Sequence, residues 1–456
     1  MKQILELRAK KIQPLFWQYT LPSVAGTLTL AIYYMIDSVF IGYGPGLGDH
    51  ALGALGVLLP IMNLLAALGT LIGVGTSSRI SIYLGLGNKE MAVQVMGTSL
   101  LFTFVVSIIP IGITYLFMEP LLYWMGATEE TYHFAADFLT CYLPASLFLN
   151  MGTTFINILK AIGFPKKSMY IMASSVVFNL ILAPLFIFVF KWGMKGAGGA
   201  TLLSTILSAC IIIPYFSKES DFFPIKIQNM RLRANILYQI VNIGFAPFVI
   251  TAMTSLIVFF TNRQLIAYST PVSLEGYIVA SRFHYVFIMI FIGISQGIQP
   301  IIGYNFGARN YTRMFQTLYY AFRVAFCMGV IALLLGIFAS KEMVQIFNPN
   351  PELIEEASKA LFVLTVTLPI AGCQLLMGGF FQHIGVAVKS AALSLIRQAF
   401  FIPLIYLLPL CWGVNGVWAT LPLSEILVCI STCIIFYLQK KKMTGSNQSE
   451  HISEQG

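Results

Sequence analysis

Long apolar segments dominate the chain and are separated by short connections that carry charge, glycine or proline. A helix needs about 20 apolar residues to cross a bilayer, so each such segment predicts a transmembrane span. Several segments exceed this length, which predicts tilt or extension beyond the hydrocarbon. The predicted spans, twelve in all, are residues 16–43, 52–84, 93–117, 131–160, 168–190, 196–216, 236–268, 275–306, 314–340, 354–383, 389–411 and 414–438. The pattern therefore predicts an all-α membrane protein.

Composition excludes a soluble globular protein, because 57% of the 456 residues are hydrophobic and only 10% are charged, against about 25% charged in average soluble domains. No short hydrophobic stretch with a small-residue cleavage site precedes the first span, so we expect that span to be retained. The seven cysteines lack metal-ligand spacing and predict neither a disulfide nor a metal site. Without a phosphate-binding Walker motif, direct ATP coupling is unsupported, and we expect neither enzymatic activity nor a cofactor.

Lysine and arginine concentrate in the connections on one predicted side of the membrane, including both chain ends. The positive-inside rule then predicts that both termini are cytoplasmic. The same bias accounts for the net charge of +9, so we expect contacts with anionic lipid and none with nucleic acid.

The two halves of the chain resemble each other at a nearly constant offset. Gly-x9-Gly-x2-Asn occurs at 75–88 and again at 297–310, and an Ile-Gly pair with a following Lys-Ser recurs at 162–168 and 384–390. Six spans per repeat is an even number, so both halves insert with the same orientation, related by an axis along the membrane normal. The repeat predicts two six-helix bundles, with boundaries at 1–215, a cytoplasmic linker at 216–235, a second bundle at 236–438 and a disordered tail at 439–456.

Asp37 is the single ionisable residue of the first span. A carboxylate within a bilayer costs about 2.5–3.5 kcal/mol on insertion scales, so such a group usually faces a protein cavity, where it titrates or binds a cation. Its counterpart in the second repeat is Asn262, and an amide does not exchange protons in the useful range. We therefore expect ion coupling in the first bundle. The alternative is a carboxylate near the outer helix end that faces water or pairs with a buried donor.

Four motifs in chain order resemble those of the multidrug and toxic compound extrusion (MATE) family. The resemblance covers roughly residues 20–437. The motifs are Pro22 with Asp37-Ser-Val-Phe-Ile-Gly42, the stretch from Gly73-Val-Gly75 through Gly85-Leu-Gly-Asn88, Lys160-Ala-Ile-Gly163-Phe-Pro165, and Asn179 with Pro184 and Gly196-Ala-Gly-Gly-Ala-Thr201.

The resemblance implies an antiporter of a bacterial inner membrane that exchanges H⁺ or Na⁺ for organic, amphipathic cationic compounds by alternating access. It also implies a cation-coupling site at Asp37, Asn179 and Thr201. The family often has an aspartate four residues after the asparagine, where this chain has Ala183. With one hard ligand fewer, H⁺ is favoured over Na⁺ as the coupling ion. Asn179 could instead satisfy carbonyls freed by Pro184, and Thr201 could bond its own helix.

Other polar residues in the second half have competing interpretations. Asn262, Arg282 and His284 are candidates for a polar site, although a packed or cavity-lining histidine competes with a proton relay. Arg397 and Glu425 lie at similar depth on the last two spans, which predicts a structural ion pair.

A lipid-linked precursor flippase of the wider superfamily is the alternative function. It requires a cationic cleft, for which Arg263, Arg282 and Arg397 are candidates. The number of spans and the MATE-like motifs favour the antiporter. We expect a monomer whose partners are small organic substrates and membrane lipids.

Overall fold

A computed structural model describes residues 2–42, 44–45, 47–218, 229–345 and 350–453. Within these ranges the description of the side chains excludes residues 2–5, 34–35, 37–39, 42, 48–50, 52, 213–218, 252, 255–256, 271, 387, 442 and 444–453. The predicted linker falls partly outside the described residues, and so does the end of the predicted tail.

The described chain is built from α-helices, with one π turn at Leu185–Val189 directly after Pro184. The helices are α1 (Lys2–Ala9), α2 (Ile12–Gly42), α3 (Gly48–Gly85), α4 (Lys89–Leu116), α5 (Met118–Trp124), α6 (Glu129–Ala161), α7 (Pro165–Pro184), α8 (Gly193–Lys218), α9 (Ala234–Tyr268), α10 (Pro271–Gly307), α11 (Tyr311–Phe338), α12 (Ser340–Gln345), α13 (Pro351–Thr365), α14 (Leu368–His383), α15 (Ala387–Trp412) and α16 (Val414–Ser453).

Each predicted span coincides with a long helix, except the tenth, which consists of α13 and α14. Among the described residues, 10 helices are long and apolar enough to cross a membrane, or 11 if α13 and α14, bent by 46°, form one span. The first predicted span lies in α2, where several side chains are outside the description. The prediction of an all-α membrane protein is confirmed.

The repeat is visible in the turns that follow α3 and α10. Gly87 has φ 76°, and at the equivalent place Arg309 has φ 56°, a left-handed conformation that favours glycine. The next residue in each copy, Asn88 or Asn310, accepts a hydrogen bond from the backbone three residues later, at 3.0 and 3.1 Å. The same capping chemistry therefore starts the following helix in both halves.

Two compact units make up the fold. Unit 1 contains residues 1–255, 292–319 and 382–387, and unit 2 contains 256–291, 320–381 and 388–456. Unit 1 has two apolar clusters, one around Ile80, Leu159 and Ile240 and another around Leu58, Leu139 and Ile187. Unit 2 has a cluster around Trp418 and Phe401. The bundle boundaries inferred from the repeat stay a prediction.

Helix α16 continues to Ser453, into the segment for which the sequence predicts disorder. Its proline, Pro422, lies well before that segment, and no later residue removes a backbone donor from the helix.

Candidate functional site

Helices α7 and α8 bring Asn179 and Thr201 together inside unit 1. The Asn179 Nδ2 atom donates to Thr201 Oγ1 at 3.3 Å, and Thr201 Oγ1 donates to the carbonyl of Ala197 at 3.2 Å. Both residues are buried. Asn179 therefore directs its amide towards α8, and Thr201 bonds both its own helix and its neighbour.

The carboxamide oxygen of Asn179 is buried and has no hydrogen-bond partner among the described atoms. Buried polar atoms are nearly always satisfied, and an orphaned acceptor needs a ligand, an ion or a water molecule. Both Asn179 and Thr201 line a cavity of about 340 Å³, which is within the range of small-molecule sites.

Asp37 lies in α2 as predicted from the sequence, but its side chain is outside the described residues. Two earlier residues of α2, Leu30 and Tyr33, line the same cavity. Position 37 follows Tyr33 by four residues, about one helical turn. The relation of the carboxylate to Asn179 and Thr201 stays a prediction.

A polar stripe on α6 forms one wall of the cavity. Its members follow one another at intervals of four or three residues, which places them on one helix face. They are Ser146, Asn150, Thr153, Asn157 and Lys160.

Glycines of α3 make room for this stripe. A Cβ at Gly73 would approach Asn157 Nδ2 at 2.7 Å, and one at Gly69 would overlap the Asn150 side chain. The close packing of α3 against α6 thus depends on glycine opposite each asparagine.

Lys160 is the charged member of the stripe and is only 4% exposed. Its Nζ donates to Gln296 Oε1 at 2.8 Å. Gln296 also lines the cavity, so the second half of the chain contributes to it. Within the described residues, the cavity lining contains no acidic side chain.

Ala183, where the family often has an aspartate, is fully buried in an apolar cluster with Ile187, Ala197 and Ala200. A carboxylate at this position would lie beside these apolar side chains, and burial of a charge is costly unless it is paired. Local packing is therefore consistent with the absence of the second acid.

The candidate polar site of the second half is not assembled by hydrogen bonds in the described part of the chain. Asn262 and Arg282 are exposed, and His284 is half-buried. Their predicted role stays a prediction.

Arg397 and Glu425 do approach each other within unit 2, with 3.8 Å between Nη2 and Oε1. The Arg397 guanidinium also donates to Gln374 Oε1 at 2.8 Å, and Thr367 Oγ1 donates to Glu425 Oε2 at 3.5 Å. Glu425 is buried. These contacts fit the ion pair predicted from the matching depths of the two residues.

Sequence reasoning did not single out Lys160 or Gln296 for a functional role. Lys160 ends a predicted span, where a lysine usually extends to the membrane surface. The spacing of polar residues from Ser146 to Lys160 is the signal that could have identified it, because it places the lysine on a polar helix face.

Comparisons with known proteins agree with this architecture. The chain matches the MatE family over residues 22–185 and 242–407. It is 27% identical over 427 residues to the multidrug export protein MepA of Staphylococcus aureus, covering 93% of this chain and 94% of that protein. It is 26% identical to MepA of Staphylococcus haemolyticus over 453 residues, with 98% of each chain covered.

Solved structures show the same fold. The structure is similar to MATE in complex with MaD3S, with a TM-score of 0.91, 23% identity and coverage of 98% of this chain and 99% of that one. It is also similar to a transporter of the MOP superfamily from Pyrococcus furiosus, with a TM-score of 0.90, 22% identity and coverage of 97% and 99%. The fold is that of an integral membrane transporter with two helical bundles. The chain belongs to the MatE family.

Proposed function

We propose that this protein is a cation-coupled antiporter that exports organic compounds from a bacterial cell by alternating access. The observation that carries the proposal is the polar cavity inside unit 1, where the buried Asn179 oxygen lacks a partner. Membership of the MatE family and relatives described as multidrug export proteins support it.

Coupling is assigned to Asp37, Asn179 and Thr201. The Asn179 oxygen and the Thr201 hydroxyl are hard donors of the kind that Na⁺ accepts. A single carboxylate is sufficient for proton exchange, and Ala183 leaves the site without the second acid. We therefore favour H⁺ as the coupling ion and keep Na⁺ as the alternative.

Substrates are proposed to be amphipathic organic cations. Aromatic and methionine side chains line part of the cavity, and such residues accommodate flat apolar rings and adapt to different shapes. The distribution of basic residues supports an orientation with both termini in the cytoplasm of a bacterial inner membrane. The protein is proposed to act as a monomer.

Transport of a fluorescent cation in proteoliposomes tests the coupling. An outwardly directed H⁺ gradient is imposed in one experiment and an outwardly directed Na⁺ gradient in another. Uptake of the dye against its concentration gradient is followed for wild type and Asp37→Asn. We expect the variant to lose coupled transport because asparagine does not exchange protons.

Asp137→Asn is the matched control, since the Asp137 side chain is 45% exposed and pairs with Lys195 at 3.2 Å. Coupled transport at the wild-type rate by Asp37→Asn would refute the assignment of Asp37. If the wild-type protein transports the dye at the same rate with and without either gradient, antiport itself is refuted.

A further inference from the structure

We propose that Lys160 binds the carboxylate of amphipathic substrates, so that compounds carrying an acidic group are transported through the cavity of unit 1. The inference rests on the proposed transport function and assigns to it a residue that binds one part of the substrate. It starts from Lys160, the charged side chain in the described lining of the cavity.

Lys160 lies in the last turn of α6 and is only 4% exposed. An ammonium group has three donors, and the hydrogen bond from Nζ goes to a neutral acceptor, Gln296 Oε1, at 2.8 Å. No described carboxylate lies within 4.0 Å of this ammonium group. A buried charge is costly unless it is paired, so the site is suited to an anionic group supplied by a ligand.

The neighbouring side chains suit a carboxylate. Asn157, one turn earlier on α6, also lines the cavity, and its Nδ2 donates to the carbonyl of Thr153 at 2.9 Å. An amide nitrogen has a second donor, which is available to a bound oxygen. A lysine and an amide on one face together offer charge and hydrogen bonds to an acidic group.

The cavity has an aromatic part as well as the lysine. Its lining includes Phe138 and Tyr142 near the other end of α6. Phe138 and Lys160 are separated by about 33 Å along the helix at 1.5 Å per residue. The aromatic side chains and the lysine therefore lie in different parts of one cavity, so a dye-sized substrate contacts them in turn and not at the same time.

The same reasoning disfavours a purely cationic ligand next to Lys160, because like charges repel strongly in a low-dielectric site. A compound with a capped acid loses the attraction to the ammonium group but can still contact the aromatic residues in the other part of the cavity. A pair of dyes that differ only at this group therefore isolates the contribution of Lys160.

The test uses rhodamine B, which has a free carboxylate, and rhodamine B methyl ester, in which it is capped. Transport of each dye is measured in proteoliposomes for wild type and Lys160→Met, with protein-free liposomes as background. We expect the variant to transport rhodamine B about tenfold more slowly, as for loss of one charge-assisted hydrogen bond, and the ester at least as fast as wild type.

Lys195→Met is the matched control, because the Lys195 side chain is 61% exposed, forms an ion pair with Asp137 and does not line the cavity. It should leave both dyes unaffected. Transport of the ester by Lys160→Met also shows that the variant is folded.

An equal loss of both dyes, or no loss of either, would overturn the role of Lys160, and so would wild-type protein that transports only the ester. If wild type transports neither dye, the proposed transport function fails. In that case fluorescence anisotropy of both dyes with the purified protein decides the inference. Binding of rhodamine B that weakens about tenfold in Lys160→Met supports it, and unchanged binding rejects it.

Discussion

The ion pair in unit 2 is a contact between single residues for which a large effect on stability is expected. Glu425 is 3% exposed, and its carboxylate contacts the Arg397 guanidinium and the Thr367 hydroxyl. Removing one partner of a buried pair leaves an uncompensated charge, whereas removing both partners does not. We therefore expect Arg397 to stabilise the folded protein mainly by compensating the charge of Glu425.

Arg397→Met is expected to destabilise the protein by about 3–5 kcal/mol. The double variant Arg397→Met/Glu425→Met should recover most of this loss, because no buried charge remains. Thermal unfolding of the purified proteins in detergent measures both effects. Arg323→Met, at an exposed arginine of unit 2, is the control. If the control and Arg397→Met unfold at the same temperature, the pair does not contribute to stability.

Residue-level contacts were only partly predictable from the sequence. Arg397 and Glu425 lie 15 and 13 residues from the turn near Trp412, which predicted similar depths, and the two side chains do meet. The contribution of Gln374 was not predictable, because it comes from another helix and no spacing relates the two. Likewise, the family resemblance grouped Asn179 with Thr201. It did not predict that the Asn179 carboxamide oxygen lacks a partner, because this depends on the orientation of the amide.

At the level of elements, α3 and α10 cross where their glycines meet. A Cβ at Gly85 would overlap the carbonyl oxygen of Tyr304, and a Cβ at Gly307 would overlap that of Ile82. The two glycines are equivalent positions of the repeat, so the crossing is nearly symmetric. The backbones approach this closely because neither position carries a side chain.

Gly85→Ala and Gly307→Ala should each destabilise the protein by about 1–3 kcal/mol, the usual range for overpacking. Gly112→Ala is the matched control, since nothing lies within 4 Å of a Cβ at that position of α4. The control should be neutral or stabilising by up to about 1 kcal/mol, because alanine favours helix more than glycine does. Thermal unfolding distinguishes them, and equal effects at all three positions would contradict the close crossing.

The elements were more predictable than their contacts. Apolar length located each long helix, because a spanning helix must satisfy its backbone internally. The repeat identified Gly85 and Gly307 as equivalents. It did not predict that one packs beside the other, since that contact depends on how α3 and α10 meet. The bend between α13 and α14 was not predicted either, because residues 354–383 form one apolar segment.

At the scale of the molecule, both halves of the sequence contribute to unit 1. Residues 292–319 and 382–387 belong to it together with residues 1–255. Ser78 of α3 donates to the carbonyl of Gln382 at 2.9 Å, and Tyr83 donates to Gln239 Oε1 at 2.8 Å. Alternating access by relative motion of the repeats requires contacts of this kind to break during each cycle.

A cross-link between the halves should therefore stop transport. A Cβ at Gly303 would lie 2.8 Å from the Ser81 Cβ, and a disulfide needs about 3.8 Å, so a shift of about 1 Å permits the bond. In a background without the seven native cysteines, oxidised Ser81→Cys/Gly303→Cys should transport dye no faster than protein-free liposomes, and a reductant should restore transport. Each single variant, oxidised in the same way, is the control. A fully cross-linked protein that still transports would mean that α3 and α10 stay together throughout the cycle.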